Sequence, residues 1–196
     1  MVLASLAATI AAPALSQPGA ARIRVALTTG AGVITLELAA DKAPVTAANF
    51  LRYVDQKRFD GASFYRAMKN AGAPQTGLVQ GGLQNNPAKT LPPVAHESTA
   101  ASGLSHKDGT ISVARYAPGT AASEFFICVG DQPYLDADPS APGDNQGFAA
   151  FGRVAGGMDV ARAILAAPVS ATAGEGAMKG QMLEPAVRIV SARRAG

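Results

Sequence analysis

The chain offers few groups for covalent or acid–base chemistry: one cysteine, Cys128, and two histidines, His96 and His106. His96-Glu97-Ser98 holds the three residue types of a charge-relay system, but these are chain neighbours on a loop, whereas such triads are assembled from separate segments. A hydrolase built on His96 or His106 therefore lacks a supporting constellation. There is no Gly-x-Ser-x-Gly elbow and no phosphate-cradling Gly-x-x-x-x-Gly-Lys-Ser/Thr. A lone cysteine excludes an intramolecular disulfide and a cysteine-built zinc site, and two histidines argue against a multi-histidine metal site. No cofactor or metal is expected. Cys128, inside an apolar run, reads as buried filler.

What remains is a series of apolar, aromatic and neutral polar residues with one arginine at its head. Phe64-Tyr65-Arg66 is followed by Leu78-Val79-Gln80-Gly81-Gly82 and Ile111-Ser112-Val113-Ala114-Arg115. Ser123-Glu124-Phe125-Phe126-Ile127-Cys128-Val129 and Phe151-Gly152-Arg153-Val154 complete it. On its strand pattern alone, Arg66 reads as a surface arginine. In Phe125-Phe126 neighbouring residues face opposite sides of a strand, so one belongs to a core and the other is free to line a pocket.

These residues need strands to position them. Residues 22–27 and 33–38 alternate around a turn at 29–32, a β-hairpin whose apolar face is Ile34, Leu36 and Leu38. Thr46 is placed to cap a helix over 46–56, with Phe50, Tyr53 and Val54 on one side. A second helix, 157–166, carries Met158, Ala161, Ile164 and Leu165 and stops before Pro168. Further strands are expected at 63–68, 78–80, 110–115, 124–129, 148–154 and 186–191, with loops at 69–77, 84–103 and 136–146. Many short strands and two helices point to a closed antiparallel barrel.

Composition sets the outer bounds. At 196 residues, 48% hydrophobic and 16% charged, the chain suits one folded domain, expected over 22–194, and not a disordered one. Forty-two alanines make up much of the apolar fraction, and 34 Gly and Pro residues suit a loop-rich domain. The net charge is +3, but the basic residues are scattered, with the pairs Arg22/Arg24 and Arg193/Arg194 at the edges of the expected domain. Nucleic-acid binding needs a clustered basic footprint and is not expected. Residues 1–16 read as a signal peptide: an uncharged apolar run, 2–10, precedes small residues suited to cleavage after Ala14 or Ser16. The run is too short for a stable membrane anchor. It lacks a charged start, which leaves a cytoplasmic chain with an Ala-rich tail as the alternative to export into the periplasm.

In order and content the series resembles the cyclophilin-type peptidyl-prolyl isomerases, whose pattern is Phe-His-Arg, Gln-Gly-Gly, Ser-Met-Ala-Asn, Ser-Gln-Phe-Phe-Ile and Phe-Gly. Pro44, Thr46, Asn49 and Phe50 match the family's first-helix motif as well, and the resemblance runs from about Ile23 to Val190. It implies an eight-stranded β-barrel capped by two helices, acting on X-Pro bonds of unfolded or flexible polypeptides as a monomer. Carried over by position, Arg66 is the catalytic guanidinium, Gln80 orients it and bonds the substrate backbone, and Phe126 floors the proline pocket. Leu78 and Leu135 become its walls, Ala114 and the backbone of Arg115 line the peptide groove, and Tyr134 sits at the rim.

Departures accompany the match. Tyr65 stands in place of the usual histidine, Arg115 in place of the Asn after the alanine, and Phe148 in place of a pocket histidine. Gly77 occupies the place of a pocket phenylalanine. The stretch from Arg66 to Gln80 is longer than the family's, with the extra residues in a loop over 69–76 that is placed to regulate access to the groove. Tyr134 replaces the tryptophan that cyclosporin contacts, so weak cyclosporin binding is expected. The alternative to an isomerase is a non-catalytic module of the same fold that docks proline-containing segments.

Overall fold

A computed structural model describes residues 23–196, and the expected signal segment 1–16 lies outside the described residues. The first hairpin forms as its alternation predicts, from β1 (Ile23–Thr29) and β2 (Gly32–Leu38). There follow α1 (Pro44–Asp55), β3 (Ser63–Asn70), β4 (Ala73–Gly82), the one-turn α2 (Thr99–Ser102), β5 (Thr110–Val113) and β6 (Phe125–Val129). The chain continues through β7 (Ala149–Gly156), α3 (Met158–Ala166), β8 (Val169–Ser170) and β9 (Met182–Ala195). The sheet runs β1-β2-β7-β5-β6-β4-β3-β9, and β9 pairs back onto β1, so eight antiparallel strands close on themselves. The two-residue β8 is a flap on β9. Closure removes free sheet edges, and α1 and α3 cover the barrel.

Three local expectations shift. Thr46 does not cap α1: Pro44 takes the first turn, and Thr46 lies inside the helix. The capping acceptor comes from elsewhere in the chain, because the Glu97 carboxylate accepts from Val45 N (3.1 Å), Thr46 N (2.8 Å) and the Thr46 hydroxyl (2.6 Å). An anion at a helix N-terminus satisfies its unpaired N–H groups and opposes its dipole. The expected loop at 69–77 is instead a tight hairpin: β3 and β4 extend past the barrel to pair Asn70 with Ala73 around a turn at 71–72. Asn70 Nδ2 ties it down, donating to Thr76 Oγ1 and Gln132 Oε1, each at 3.0 Å. The short strands expected at 78–80 and 186–191 lengthen likewise to β4 and β9, because each has partners on both sides.

Period-two alternation divides the barrel's interior from its outside. Val25, Leu27, Ile34, Leu36, Ile111 and Ile127 point inward and are fully buried. Phe50 of α1 meets Phe125 edge-to-face at 5.4 Å and Phe151 at 5.2 Å, closing one mouth with aromatic rings. Ala161, Ile164 and Leu165 of α3 belong to the same core. Burying each such large side chain contributes about 1.5–3 kcal/mol. The residues between them, Leu78, Phe126 and Cys128, point outward and form a second, smaller cluster with Leu135. That outer cluster is where the sequence series converges.

Glu97→Ala removes the acceptor for the first turn of α1 and is expected to lower stability by about 1–2 kcal/mol. Urea unfolding measures the difference, and an unchanged midpoint would remove Glu97 as the cap.

Candidate active site

A single irregularity in β3 aims the key side chain. Phe64 pairs with Gly81 and Arg66 with Gln80, leaving Tyr65 as an extra residue between them. Phe64 and Ala67 both sit in the barrel core. The bulge therefore turns both Tyr65 and Arg66 outward, where simple alternation would allow only one. Both line a groove of about 490 Å³ on the barrel's outer face, together with Leu78, Gln80, Phe126, Leu135 and Phe148. Of the residues expected at the site, those seen in the groove are Arg66, Gln80, Phe126, Leu78, Ala114, Arg115, Leu135 and Phe148. Tyr134 stands apart, 61% exposed at the rim beside the lining Leu135.

The Arg66 guanidinium is held from two sides. Nη1 donates to Gln80 Oε1 and Nε donates to Gln181 Oε1, both at 2.8 Å. Among the described residues Nη2 has no protein partner. Burial lowers the Arg66 value from its ordinary range, partly offset by Tyr65 and Tyr134, and an arginine remains charged throughout neutral pH. Gln80 Nε2 in turn donates to the Tyr65 hydroxyl (2.8 Å), which donates to Glu124 Oε2 (2.6 Å). Burial, reinforced by the Glu124 charge, pushes the Tyr65 phenol well above its usual value, so it remains a neutral O–H.

Phe126 is gripped rather than free. Its ring stacks on His106 at 5.8 Å and 18°, and meets Phe148 edge-on at 5.5 Å and 86°. His106 is fully buried, with Nδ1 2.6 Å from Asp136 Oδ1 and Nε2 3.0 Å from Ser112 Oγ. A Ser–His–Asp row therefore does exist, contrary to the sequence reading, but it lies behind Phe126 with Ser112 and His106 both at 0% exposure. No substrate carbonyl reaches that serine, so the row supports the pocket floor. His96-Glu97-Ser98 disperses among separate tasks: His96 Nε2 meets Gln146 O, Glu97 caps α1, and Ser98 caps α2. Burial raises the Cys128 thiol to about 12, which suits filler and not a nucleophile.

Arg115 does more than lend its backbone. Its guanidinium pairs with both carboxylate oxygens of Asp144 (2.7 and 2.8 Å), donates to Gly147 O, and lies 5.3 Å from the centre of the Phe148 ring. It thus ties the 138–147 loop to the groove wall, and its hydrogen bonds hold the Asp144 carboxyl at about 2. Gly77 cannot substitute for a phenylalanine here: its φ is +148°, and a Cβ would fall 1.9 Å from Met68 O. Met68 packs instead against the outer cluster.

Sequence reasoning passed over five participants. Tyr65 counted only as a departure from the family's histidine, yet it links Gln80 to Glu124. Gln181 and Met182 arrive from the distant start of β9, paired to β3 through Arg66 and Met182. His106 carried no signal beyond its type. Glu124 stands where the family pattern has glutamine, and the tyrosine that bonds it across β4 stands where the pattern has histidine; that paired change of charge and shape was the available signal.

Residues 24–194 match the family model described as cyclophilin type peptidyl-prolyl cis-trans isomerase/CLD. The chain is 34% identical over 158 residues to the peptidyl-prolyl cis-trans isomerase of Acinetobacter baylyi, covering 80% of this chain and 79% of that one. It is 38% identical to peptidyl-prolyl cis-trans isomerase A of Dickeya dadantii over 166 residues, 82% and 81% of the two chains. A Cryptosporidium parvum cyclophilin-type isomerase superposes with a TM-score of 0.71 at 18% identity, covering 89% of this chain and 98% of its own. Its structure in the presence of the dipeptide Ala-Pro gives 0.70, again at 18%, covering 88% and 99%.

Burial lowers the His106 value, against the opposing hydrogen bond and charge of Asp136. An unfolded histidine takes up a proton near pH ~6.5, while folded His106 resists it until lower pH. Stability is therefore expected to fall as pH drops below that value, a slope that His106→Gln should flatten. Urea midpoints across the range for both proteins decide it, and equal slopes would end the assignment.

Proposed function

The chain belongs to the cyclophilin-type peptidyl-prolyl cis-trans isomerases, and from that premise we propose that Arg66 accelerates X-Pro rotation by donating a hydrogen bond to the twisting amide. The barrier is about 18–20 kcal/mol of amide resonance, and uncatalysed switching takes tens to hundreds of seconds. Lowering it requires no proton relay and no covalent intermediate, only tighter binding of the twisted amide than of either planar form. As the C–N bond rotates, the proline nitrogen regains a lone pair that the planar amide had delocalised. A fixed N–H donor aimed at that nitrogen stabilises the rotated state and offers the ground states less.

The observation that carries this reading is the two-sided hold on Arg66, which occupies Nε and Nη1 and leaves Nη2 available. Holding the guanidinium in advance removes the cost of ordering it during rotation. Phe126, between Leu78 and Leu135, takes the pyrrolidine ring and keeps it still while the acyl side swings. The second hydrogen on Gln80 Nε2 is left to bond the substrate backbone. The substrates are proline-containing unfolded or flexible polypeptides, and the service is to folding. Cyclosporin is a weak ligand, because Tyr134 supplies no indole. The segment 1–16 directs export to the periplasm, on the strength of its apolar run and small-residue cleavage site, and N-terminal sequencing of the protein from fractionated cells tests it.

In an assay following a tetrapeptide with a central X-Pro bond, the protein is expected to speed relaxation far above the thermal rate. Arg66→Ala is expected to lose about a hundredfold in kcat/KM, the scale of one preorganised donor. A folded but inactive wild type would favour the proline-docking module, and an Arg66→Ala protein with full activity would remove the guanidinium from the mechanism.

A further inference from the structure

The Gln80 amide has two orientations of nearly equal shape, and only one presents an acceptor to Arg66. Gln80, Tyr65 and Glu124 are each about 8% exposed, so their hydrogen-bond directions are settled mainly by one another. We propose that Glu124 is a positioning residue which, through the Tyr65 hydroxyl, sets the direction of the Gln80 amide and thereby the acceptor that holds Arg66.

The order begins at backbone groups that cannot reverse. Glu124 Oε1 accepts from Leu83 N (3.0 Å), Asn85 N (3.3 Å) and the Ser123 hydroxyl (2.8 Å). Oε2 has no proton of its own and faces Tyr65, so the phenol must donate to it. Having spent its one hydrogen, the phenol oxygen can only accept, and it requires the NH2 end of Gln80. The carbonyl end of Gln80 is then turned to Arg66 Nη1. Gly82 makes room for the carboxylate: its φ is +145°, and a Cβ there would fall 2.6 Å from Glu124 Oε2 and 2.7 Å from Ser123 O. The bulge that exposes Arg66 also delivers Tyr65 to this chain.

Glu124→Gln reverses the order without changing its shape. The two backbone donors keep the new carbonyl oxygen at the Oε1 place, so the new NH2 falls at the Oε2 place and donates to Tyr65. The phenol must then donate to Gln80, whose carbonyl turns toward it and whose NH2 turns toward Arg66, donor against donor. Tyr65→Phe removes the link, and Gln80 is free to offer its oxygen to the guanidinium again.

The kinetic arm rests on the isomerase reading above. Glu124→Gln is expected to lose about tenfold in kcat with KM little changed, and Tyr65→Phe about threefold. The double variant is expected to return to the Tyr65→Phe level, a recovery that loss of packing would not produce. Wild-type activity in Glu124→Gln, or a double variant as slow as Glu124→Gln, overturns the proposal. The second arm needs no activity: the side-chain resonances of Gln80 Nε2 and Arg66 Nη are recorded in the four folded proteins. They are expected to shift together in Glu124→Gln and return in the double variant, and unmoved Gln80 and Arg66 resonances in Glu124→Gln overturn it. An inactive wild type whose resonances behave as expected would refute the isomerase reading and leave the positioning role standing.

Discussion

Everything at the groove depends on one departure from the pleat of β3. A barrel strand assigns each successive residue to the inside or the outside, and an uninterrupted Phe64–Ala67 would leave room for one outward side chain. Two residues fit between the buried Phe64 and Ala67 only because the strand bulges at Tyr65. The arginine and the tyrosine that orders its neighbour thus share a face, and Gln80 stands opposite Arg66 on β4. Without the bulge the same residues would lie on opposite sides of the sheet.

The outer face then needs packing of its own, since the barrel interior is already filled. Leu78, Phe126, Cys128 and Leu135 supply a second apolar cluster, with His106 and Phe148 set against the Phe126 ring. Titratable groups in this layer are kept from titrating near neutrality: the His106 value is lowered, those of Cys128 and Tyr65 raised, and that of Asp136 lowered. For Asp136 burial acts upward, and the hydrogen bonds from Ser105 and His106 outweigh it. A reaction that moves no protons is well served by surroundings whose charges stay constant.

The sequence made the fold legible wherever a local period decided it. Alternation over 22–38 specified the first hairpin, and the spacing of Phe50, Tyr53 and Val54 specified the buried side of α1. The seam between β1 and β9 was not legible, because it joins residues as distant as Arg24 and Ala195. The same division holds at the site. Arg66, Gln80 and Phe126 could be grouped from the sequence because their order matches a family pattern, and the three do line one groove. Gln181 was missed because its contact with Arg66 is created by pairing β9 with β3, across 115 residues. The cap of α1 was misassigned for a related reason: Thr46 has the right chemistry locally, but Glu97 arrives from a loop that no local rule connects to it.

The long seam strand has a consequence for synthesis. β9 is the last of the nine strands to be translated, and it pairs with both β3 and β1. Until it leaves the ribosome the sheet is an open ribbon with two raw edges, and neither the barrel nor the Gln181 side of the arginine clamp exists. Such a chain cannot fold piecemeal as it emerges. Its native contacts are dominated by distant partners, which favours slow and concerted folding once all the strands are present.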